Sequence, residues 1–233
     1  MTLKTFYFFL FLFALKSFCQ NNEYINSDRP DQSEGTYIVS KGNFQFESGF
    51  LFDEEELINN LMIRFGIASN LEIRFINDFN LNTKNNLFGL SFKSKIMQQN
   101  GVLPEITIVG YLKNLHHSNK VKQNFSTANT SLFLAFQNQI SNTTTLCYNL
   151  GIQQFGKDYF SSVLISKMTS SNISLYLEYY NFINKSASLI HNFDCGFFYF
   201  IKPNFQLDFA IGKTIAQNEK PYFSVGMAYC LPN

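Results

Sequence analysis

The sequence contains no tryptophan, little charge and no apolar run long enough to cross a membrane as a helix. Charged residues make up 15% of the chain and the formal net charge is +1, so the composition offers no general attraction to nucleic acid, and no nucleic-acid partner is predicted. The chain has four cysteines without metal-ligand spacing, and it has no phosphate-binding loop and no catalytic-cysteine pattern. The prediction is therefore no metal, no cofactor and no enzymatic activity.

Aromatic residues, in contrast, are abundant. They make up 17% of the chain, including 28 Phe and 12 Tyr, yet the mean hydropathy is close to zero at −0.07. Finely alternating apolar and polar residues explain this combination, and such alternation is the signature of β-strands.

The stretch from Asn59 to Phe79 gives the clearest example of the alternation. Its apolar side chains fall on one parity and its charged ones, including Arg64 and Glu72, fall on the other. The small residues of Gly66 to Asn70 lie between two such runs and predict a tight turn. We predict a hairpin with one apolar and one charged face.

The first 19 residues are predicted to be a cleaved secretory signal peptide. Lys4 precedes a short apolar run, and Ser17-Phe18-Cys19 supplies a cleavage site before Gln20. Lipidation of Cys19 is the alternative, but Lys16-Ser17-Phe18 lacks the leucine and small residues expected ahead of a lipidated cysteine. Residues 20–42 are then an N-terminal periplasmic or plug segment, and residues 43–233 form one barrel domain.

About twelve alternating segments of roughly ten residues follow Asn43, each closed by turn residues. Mostly tight turns alternate with longer, more polar connections, as in outer-membrane barrels with short periplasmic turns. The predicted fold is all-β, a transmembrane antiparallel up-and-down β-barrel of about twelve strands. A soluble secreted barrel is the alternative, because alternation alone does not decide whether the apolar face meets lipid or a core.

Four features favour the membrane barrel. Segments of this length cross a bilayer when tilted, and their even number returns both ends to one side. Glycines share the charged parity whereas phenylalanines crowd the apolar one, which suits lipid outside and a packed or water-filled lumen inside. The stretch from Ser224 to Leu231 also resembles the carboxy-terminal signal of outer-membrane barrels, although Pro232 and Asn233 follow it. Outer-membrane lipid and the barrel-insertion machinery are thus predicted partners.

Two stretches near the beginning carry a family resemblance. Residues 27–35, SDRPDQSEG, and 41–50, KGNFQFESGF, resemble the opening of the outer-membrane proteins named for the meta-pathway of phenol degradation, of the Bacteroidota type. Shorter matches occur at 65–66, 70–74 and 203–208, and the resemblance spans about Ser27 to Leu231. It implies an outer-membrane barrel that transports small hydrophobic or aromatic molecules, and it transfers no catalytic residue.

Charged residues on the inward parity are the candidate lumen lining. They could form a polar path for a solute, or they could pair across strands and fill the lumen. These candidates are Glu47, Arg64, Glu72, Arg74, Asp78, Glu178, Asp194 and Asp208.

The polar segment ahead of the barrel is either a plug inside the lumen or an exposed periplasmic tail, and the family resemblance favours a defined role for it. Its charged residues are Asp28, Arg29, Asp31 and Glu34, and Arg29 is expected to pair with an acidic residue of the wall.

Two further groups of residues are candidates, one for catalysis and one for a disulfide bond. His116-His117-Ser118-Asn119 is similar to the histidine and serine of outer-membrane phospholipases, but Lys120 replaces the glycine expected next, so a polar loop is favoured. The three cysteines after the signal are expected to be free thiols, with a bridge between Cys147 and Cys230 as the alternative.

The sequence thus predicts an outer-membrane transporter or passive channel for a small-molecule solute, hydrophobic or aromatic. An outer-membrane phospholipase-like hydrolase and a closed structural barrel are the alternatives.

Overall fold

The computed structural model describes residues 25–54, 56–116, 129–154, 156–183, 189–215 and 220–231. Twelve β-strands account for most of them, and none of the described residues forms a helix long and apolar enough to cross a membrane. The strands are β1 (Phe44–Phe52), β2 (Leu57–Ala68), β3 (Leu71–Asn80), β4 (Asn86–Met97), β5 (Glu105–His116), β6 (Asn129–Ser141), β7 (Thr144–Gln153), β8 (Asp158–Ser170), β9 (Ile173–Ile183), β10 (Leu189–Lys202), β11 (Phe205–Thr214) and β12 (Tyr222–Leu231).

Every strand pairs antiparallel with its sequence neighbours, and β1 pairs with β12 to close the sheet into a barrel. At the closure, Phe44 lies opposite Leu231 and Phe52 lies opposite Phe223. Closure leaves no open strand edge. The predicted all-β, antiparallel up-and-down architecture of about twelve strands is confirmed.

The two rims of the barrel differ. The rim that carries the N-terminal side of β1 and the end of β12, here called the terminal rim, has connections of two residues each apart from residues 98–104. The opposite rim, here called the loop rim, carries the longer connections. One boundary differs from the predicted turn at Gly66 to Asn70: β2 continues to Ala68 through a bulge after Gly66, so only Ser69 and Asn70 connect the strands.

The two parities of each strand face opposite sides of the wall. On β9, Ile173, Leu175 and Leu177 are 36%, 48% and 53% exposed on the outside, whereas Tyr176 and Glu178 are 4% and 0% exposed inside. A soluble barrel would bury the apolar parity instead. The outside of this barrel is an apolar belt, and its buried polar residues lie in the lumen.

Candidate functional site in the lumen

The lumen contains the predicted charged residues of the wall. Seven of the eight, all except Asp78, are at most 4% exposed: Glu47, Arg64, Glu72, Arg74, Glu178, Asp194 and Asp208. Asp78 lies closer to the loop rim, where its carboxylate is 3.4 Å from the ammonium group of Lys113.

Residues 25–43, here called the lumenal segment, run inside the barrel. The segment begins at the terminal rim, where the Ile25 amide donates to the Pro203 carbonyl at 2.6 Å. It ends at the same rim, where the Gly42 amide donates to the Gly66 carbonyl at 2.8 Å. Between these points it forms a loop that the Gly35 amide closes by donating to the Asp28 carboxylate at 3.0 Å.

Asp28 is the most heavily bonded residue of the lumenal segment. Its carboxylate lies 2.9 Å from Arg64, 2.6 Å from Arg74 and 2.9 Å from Lys93. The β2–β3 pairing places Arg64 and Arg74 directly opposite each other, an arrangement of like charges that needs a compensating anion. Asp28 from the segment and Glu72 from β3, which is 3.0 Å from Arg64 and 2.7 Å from Arg74, supply the compensation.

Arg29 is held on the other side of the segment, at the β1–β12 closure. Its guanidinium lies 3.3 Å from Asp208, donates to the Ser224 hydroxyl at 3.1 Å and also bonds Asn60. The expected pairing of Arg29 with an acidic wall residue is thus present, with Asp208 as the partner. A Cβ atom at Gly49 or Gly226 would overlap this guanidinium, so the two glycines provide the space that it occupies.

We expect Gly226→Val to displace Arg29 without disrupting the barrel, because the three atoms nearest to a Cβ at this position all belong to the Arg29 side chain. Overpacking of this kind costs about 1–3 kcal/mol. Amide hydrogen exchange of a peptide covering residues 25–35 should therefore become faster by roughly 5- to 100-fold. Gly89→Ala is the control, since its Cβ would meet the Lys113 side chain instead. Equal exchange in the two variants would contradict this role of Gly226.

Beyond Asp31 the segment crosses to the opposite wall. The Gln32 amide and the Ser33 hydroxyl donate to the two oxygens of Glu178 at 2.8 and 2.5 Å. Glu34 exchanges two hydrogen bonds with the side-chain amide of Asn149, at 2.6 and 3.0 Å, through its backbone. Its own carboxylate turns back towards β3 and lies 2.9 Å from Arg74.

The returning part of the segment follows the wall of β2, β3 and β5. The Thr107 hydroxyl donates to the Thr36 carbonyl at 3.1 Å, and the Val39 amide donates to Glu72 at 2.7 Å. Arg64 also donates to the Tyr37 carbonyl at 3.1 Å. These hydrogen bonds fix the backbone of a segment that has no regular secondary structure.

Two carboxyl groups of the segment have opposite electrostatic surroundings. Burial alone would raise the pKa of Asp28, but the positive charges of Arg64, Lys93 and Arg74 outweigh it and hold that pKa well below its usual value. Burial raises the pKa of Asp31 well above its usual value, and the neighbouring carboxylates of Glu178 and Asp194 raise it further. Asp28 is therefore an anion at neutral pH, whereas Asp31 keeps its proton to a higher pH than an ordinary carboxyl group.

The lumenal segment lies between two cavities. The outer cavity, of about 670 Å³, extends from the segment to the loop rim, where it includes Glu56 and Thr83. The inner cavity, of about 250 Å³, extends to the terminal rim at Asn142 and Thr143.

Aromatic side chains form one wall of the outer cavity. Phe133 and Phe160 meet edge to face with ring centroids 5.5 Å apart, and Phe182 lies 5.2 Å from Phe160. Tyr111 completes this aromatic shelf, with its ring 5.9 Å from Phe133 and its hydroxyl bonded to Glu34. Apolar side chains continue around the opposite wall, namely Leu51, Ile58, Met62, Ile76 and Leu87.

Sequence reasoning missed the aromatic shelf and Lys93. Strand β6 carries apolar residues on both parities, so Phe133 could not be distinguished from its lipid-facing neighbours Leu132 and Leu134. Lys93 lies on the polar parity of β4 and is fully buried. Its place on that parity was the available signal.

The remaining candidates do not gather into a catalytic centre in the part of the chain that the structure covers. His116 is the last residue of β5, and residues 117–128, with His117 and Ser118, lie outside the described residues. Cys147 is a buried free thiol in the lumen wall and Cys195 an exposed one on the outer face. Within the described ranges, no three histidine, cysteine or acidic side chains are arranged to hold a metal ion.

A closed twelve-stranded barrel with an apolar exterior and a charged lumen is the architecture of outer-membrane porins and channels, and solved structures agree. The KdgM porin has a TM-score of 0.63 at 12% identity over 79% of this chain and 98% of its own. The COG4313 outer membrane channel from Pseudomonas putida F1 has a TM-score of 0.63 at 9% identity over 87% of this chain and 100% of its own. Omp33 of Acinetobacter baumannii has a TM-score of 0.56 at 7% identity over 82% and 99%.

The family is shown by sequence. Residues 27–227 match the family described as "Putative MetA-pathway of phenol degradation", and the chain belongs to that family. This confirms the predicted family resemblance. Comparison with curated protein sequences finds no match.

Proposed function

We propose that this protein is a passive outer-membrane channel for small hydrophobic or aromatic molecules, with the lumenal segment as its plug. The observation that carries the proposal is the outer cavity, where aromatic rings of β5, β6, β8 and β9 and aliphatic side chains of β1 to β4 lie among polar and charged residues. Apolar and aromatic side chains bind the body of a small apolar ligand, and polar groups of the cavity orient it.

The apolar outer surface of the barrel supports a location in the outer membrane. Membrane lipid is the partner that suits the apolar belt, and the two-residue connections of the terminal rim are typical of the periplasmic side. The signal peptide at residues 1–19 and the insertion machinery belong to the same proposal. Catalysis has no part in it.

We expect Phe160→Gln combined with Phe182→Gln to slow the entry of an aromatic solute about fivefold, since an aromatic contact is worth about 1 kcal/mol. The measurement is the uptake of N-phenyl-1-naphthylamine by cells with an intact lipopolysaccharide outer membrane that express the protein. Ser131→Ala is the matched control, because Ser131 lines the same cavity without contributing a ring.

Each outcome of this experiment is informative. Faster uptake than in cells without the protein, slowed by the double variant alone, supports the proposal. Uptake equal to that of cells without the protein contradicts it and favours a closed structural barrel, in which the segment fills the lumen permanently.

A further inference from the structure

The outer and inner cavities share two lining residues of the lumenal segment. Among the described residues, only Asp31 and Ser33 line both of them. Glu178 holds this part of the segment through the Gln32 amide and the Ser33 hydroxyl. Asp31, Ser33 and Glu178 are here called the neck, because the first two line both cavities and Glu178 binds Ser33 from the wall.

The neck is acidic. Asp194 lies directly opposite Glu178 in the β9–β10 pairing, and both carboxyl groups act on Asp31. Asp31 Oδ1, Asp194 Oδ1 and the Tyr176 hydroxyl are buried and have no hydrogen-bond partner among the described residues. Asp194 and Tyr176 are only 2% and 4% exposed, so these polar atoms at the neck have hydrogen-bonding capacity that the described residues do not use.

The buried and half-buried positive charges that the structure describes in the lumen, in contrast, form ion pairs elsewhere. Arg64, Arg74 and Lys93 contact Asp28 and further carboxylates of the wall or the segment. Arg29 contacts Asp208, Lys95 contacts Glu105 at 3.0 Å, and Lys113 contacts Asp78. No described cation forms an ion pair with Asp31, Glu178 or Asp194, so the negative charge that these groups acquire as they lose their protons has no positive partner among the described residues.

We propose that the neck is a charge filter, which passes neutral and cationic solutes, including aromatic molecules with an ammonium group, and holds back anions. Rings of acidic side chains select cations in channels in the same way. This inference rests on the proposed function and adds to it the charge of the solute.

The test uses the refolded protein, residues 20–233, in a planar bilayer with a KCl gradient. The reversal potential at pH 8 should give a K⁺ to Cl⁻ permeability ratio above about five, falling to about one in Asp31→Asn combined with Glu178→Gln. Glu54→Gln is the control: it removes a carboxylate that pairs with Lys220 in an exposed ion pair and lines neither cavity. A gel shift on boiling confirms that each variant forms a barrel.

The preference for cations should also be stronger at pH 8 than at pH 6, because Asp31 loses its proton only above the usual range of a carboxyl group. The titratable groups that act on Asp31 or respond to its charge come from several elements. They are Glu178 and Tyr176 of β9, Asp194 of β10, Cys147 of β7, and Asp28 and Glu34 of the segment itself.

Uptake into proteoliposomes provides a second measurement with solutes of one size. After subtraction of the uptake by protein-free liposomes, benzylamine and benzyl alcohol should enter at least about fivefold faster than benzoate, and the double variant should remove this channel-dependent difference. A channel that conducts without charge preference, or that admits benzoate as fast as benzylamine, overturns the charge filter and leaves the proposed function standing. A barrel that neither conducts nor admits any of the three solutes overturns both.

Discussion

Deleting residues 21–35 should raise the single-channel conductance by roughly an order of magnitude or more and leave the barrel folded. The deletion removes Asp28, Arg29 and Glu34, whose side chains bind the wall, but it leaves every strand pairing from β1 to β12 in place. Arg64, Arg74 and Lys93 would then face water in the open lumen, so the loss of Asp28 would not leave them buried without compensation. Conductance of the refolded protein in a planar bilayer measures the effect.

Two controls make this result specific. Deletion of residues 21–24 alone should leave the conductance unchanged, because it keeps Asp28, Arg29 and Glu34 and their bonds to the wall. A synthetic peptide of residues 21–35, added on the side of the terminal rim, should close the shortened channel again, because its charges match the vacated wall. Equal conductance with and without residues 21–35 would show that the segment does not limit the passage.

Asp28→Ala should have the second-largest effect, since one carboxylate compensates three buried cations. Removing one partner of a buried ion pair costs about 3–5 kcal/mol, because the remaining charge is left without compensation. The barrel can relieve this cost by releasing the segment and admitting water. We therefore expect frequent opening, and faster hydrogen exchange of residues 25–35, at neutral pH.

Variants at the same and at a remote position separate charge from shape. Asp28→Asn keeps an acceptor for the Gly35 amide but removes the charge, so it should lie between the wild type and Asp28→Ala. Glu54→Ala removes the partner of Lys220 in an exposed ion pair and should have little effect. Equally frequent opening of the wild type and of Asp28→Ala would contradict the role of Asp28 in holding the lumenal segment.

The ion pairs of Asp28 with the wall should also weaken in acid. The folded-state pKa of Asp28 lies below its value in an unfolded chain, so its contribution is complete above about pH 4 and is lost as the pH falls towards the depressed value. The wild type should therefore open more often in strong acid.

Much of the architecture follows from local pattern. The alternation of Ile173, Leu175 and Leu177 with Tyr176 and Glu178 assigns the two faces of β9, and a similar alternation gives twelve strands of nearly correct extent. The inward placement of glycine, as at Gly226, is visible in the sequence for the same reason. The polar parity of the strands also predicted which charged residues of the wall face the lumen.

Mixed strands set the limit of that reasoning. In β6, Phe133 and Leu134 are equally apolar, so the period of two is present but does not tell which parity faces the lumen. The aromatic shelf therefore escaped prediction, whereas Arg64, Glu72 and Arg74, with apolar neighbours on both sides, did not.

The sequence by itself determined the alternating strands, their number and the existence of a charged segment ahead of them, because strand periodicity and turn residues are local properties. Only the tertiary structure decided which groups meet: Asp28 with three cations of β2, β3 and β4, Arg29 with Asp208 across the closure, and Asp31 with Glu178 at the neck. The reason is physical, since these partners are up to 179 residues apart. Barrel closure and strand register, which no single stretch of sequence encodes, bring them within bonding distance.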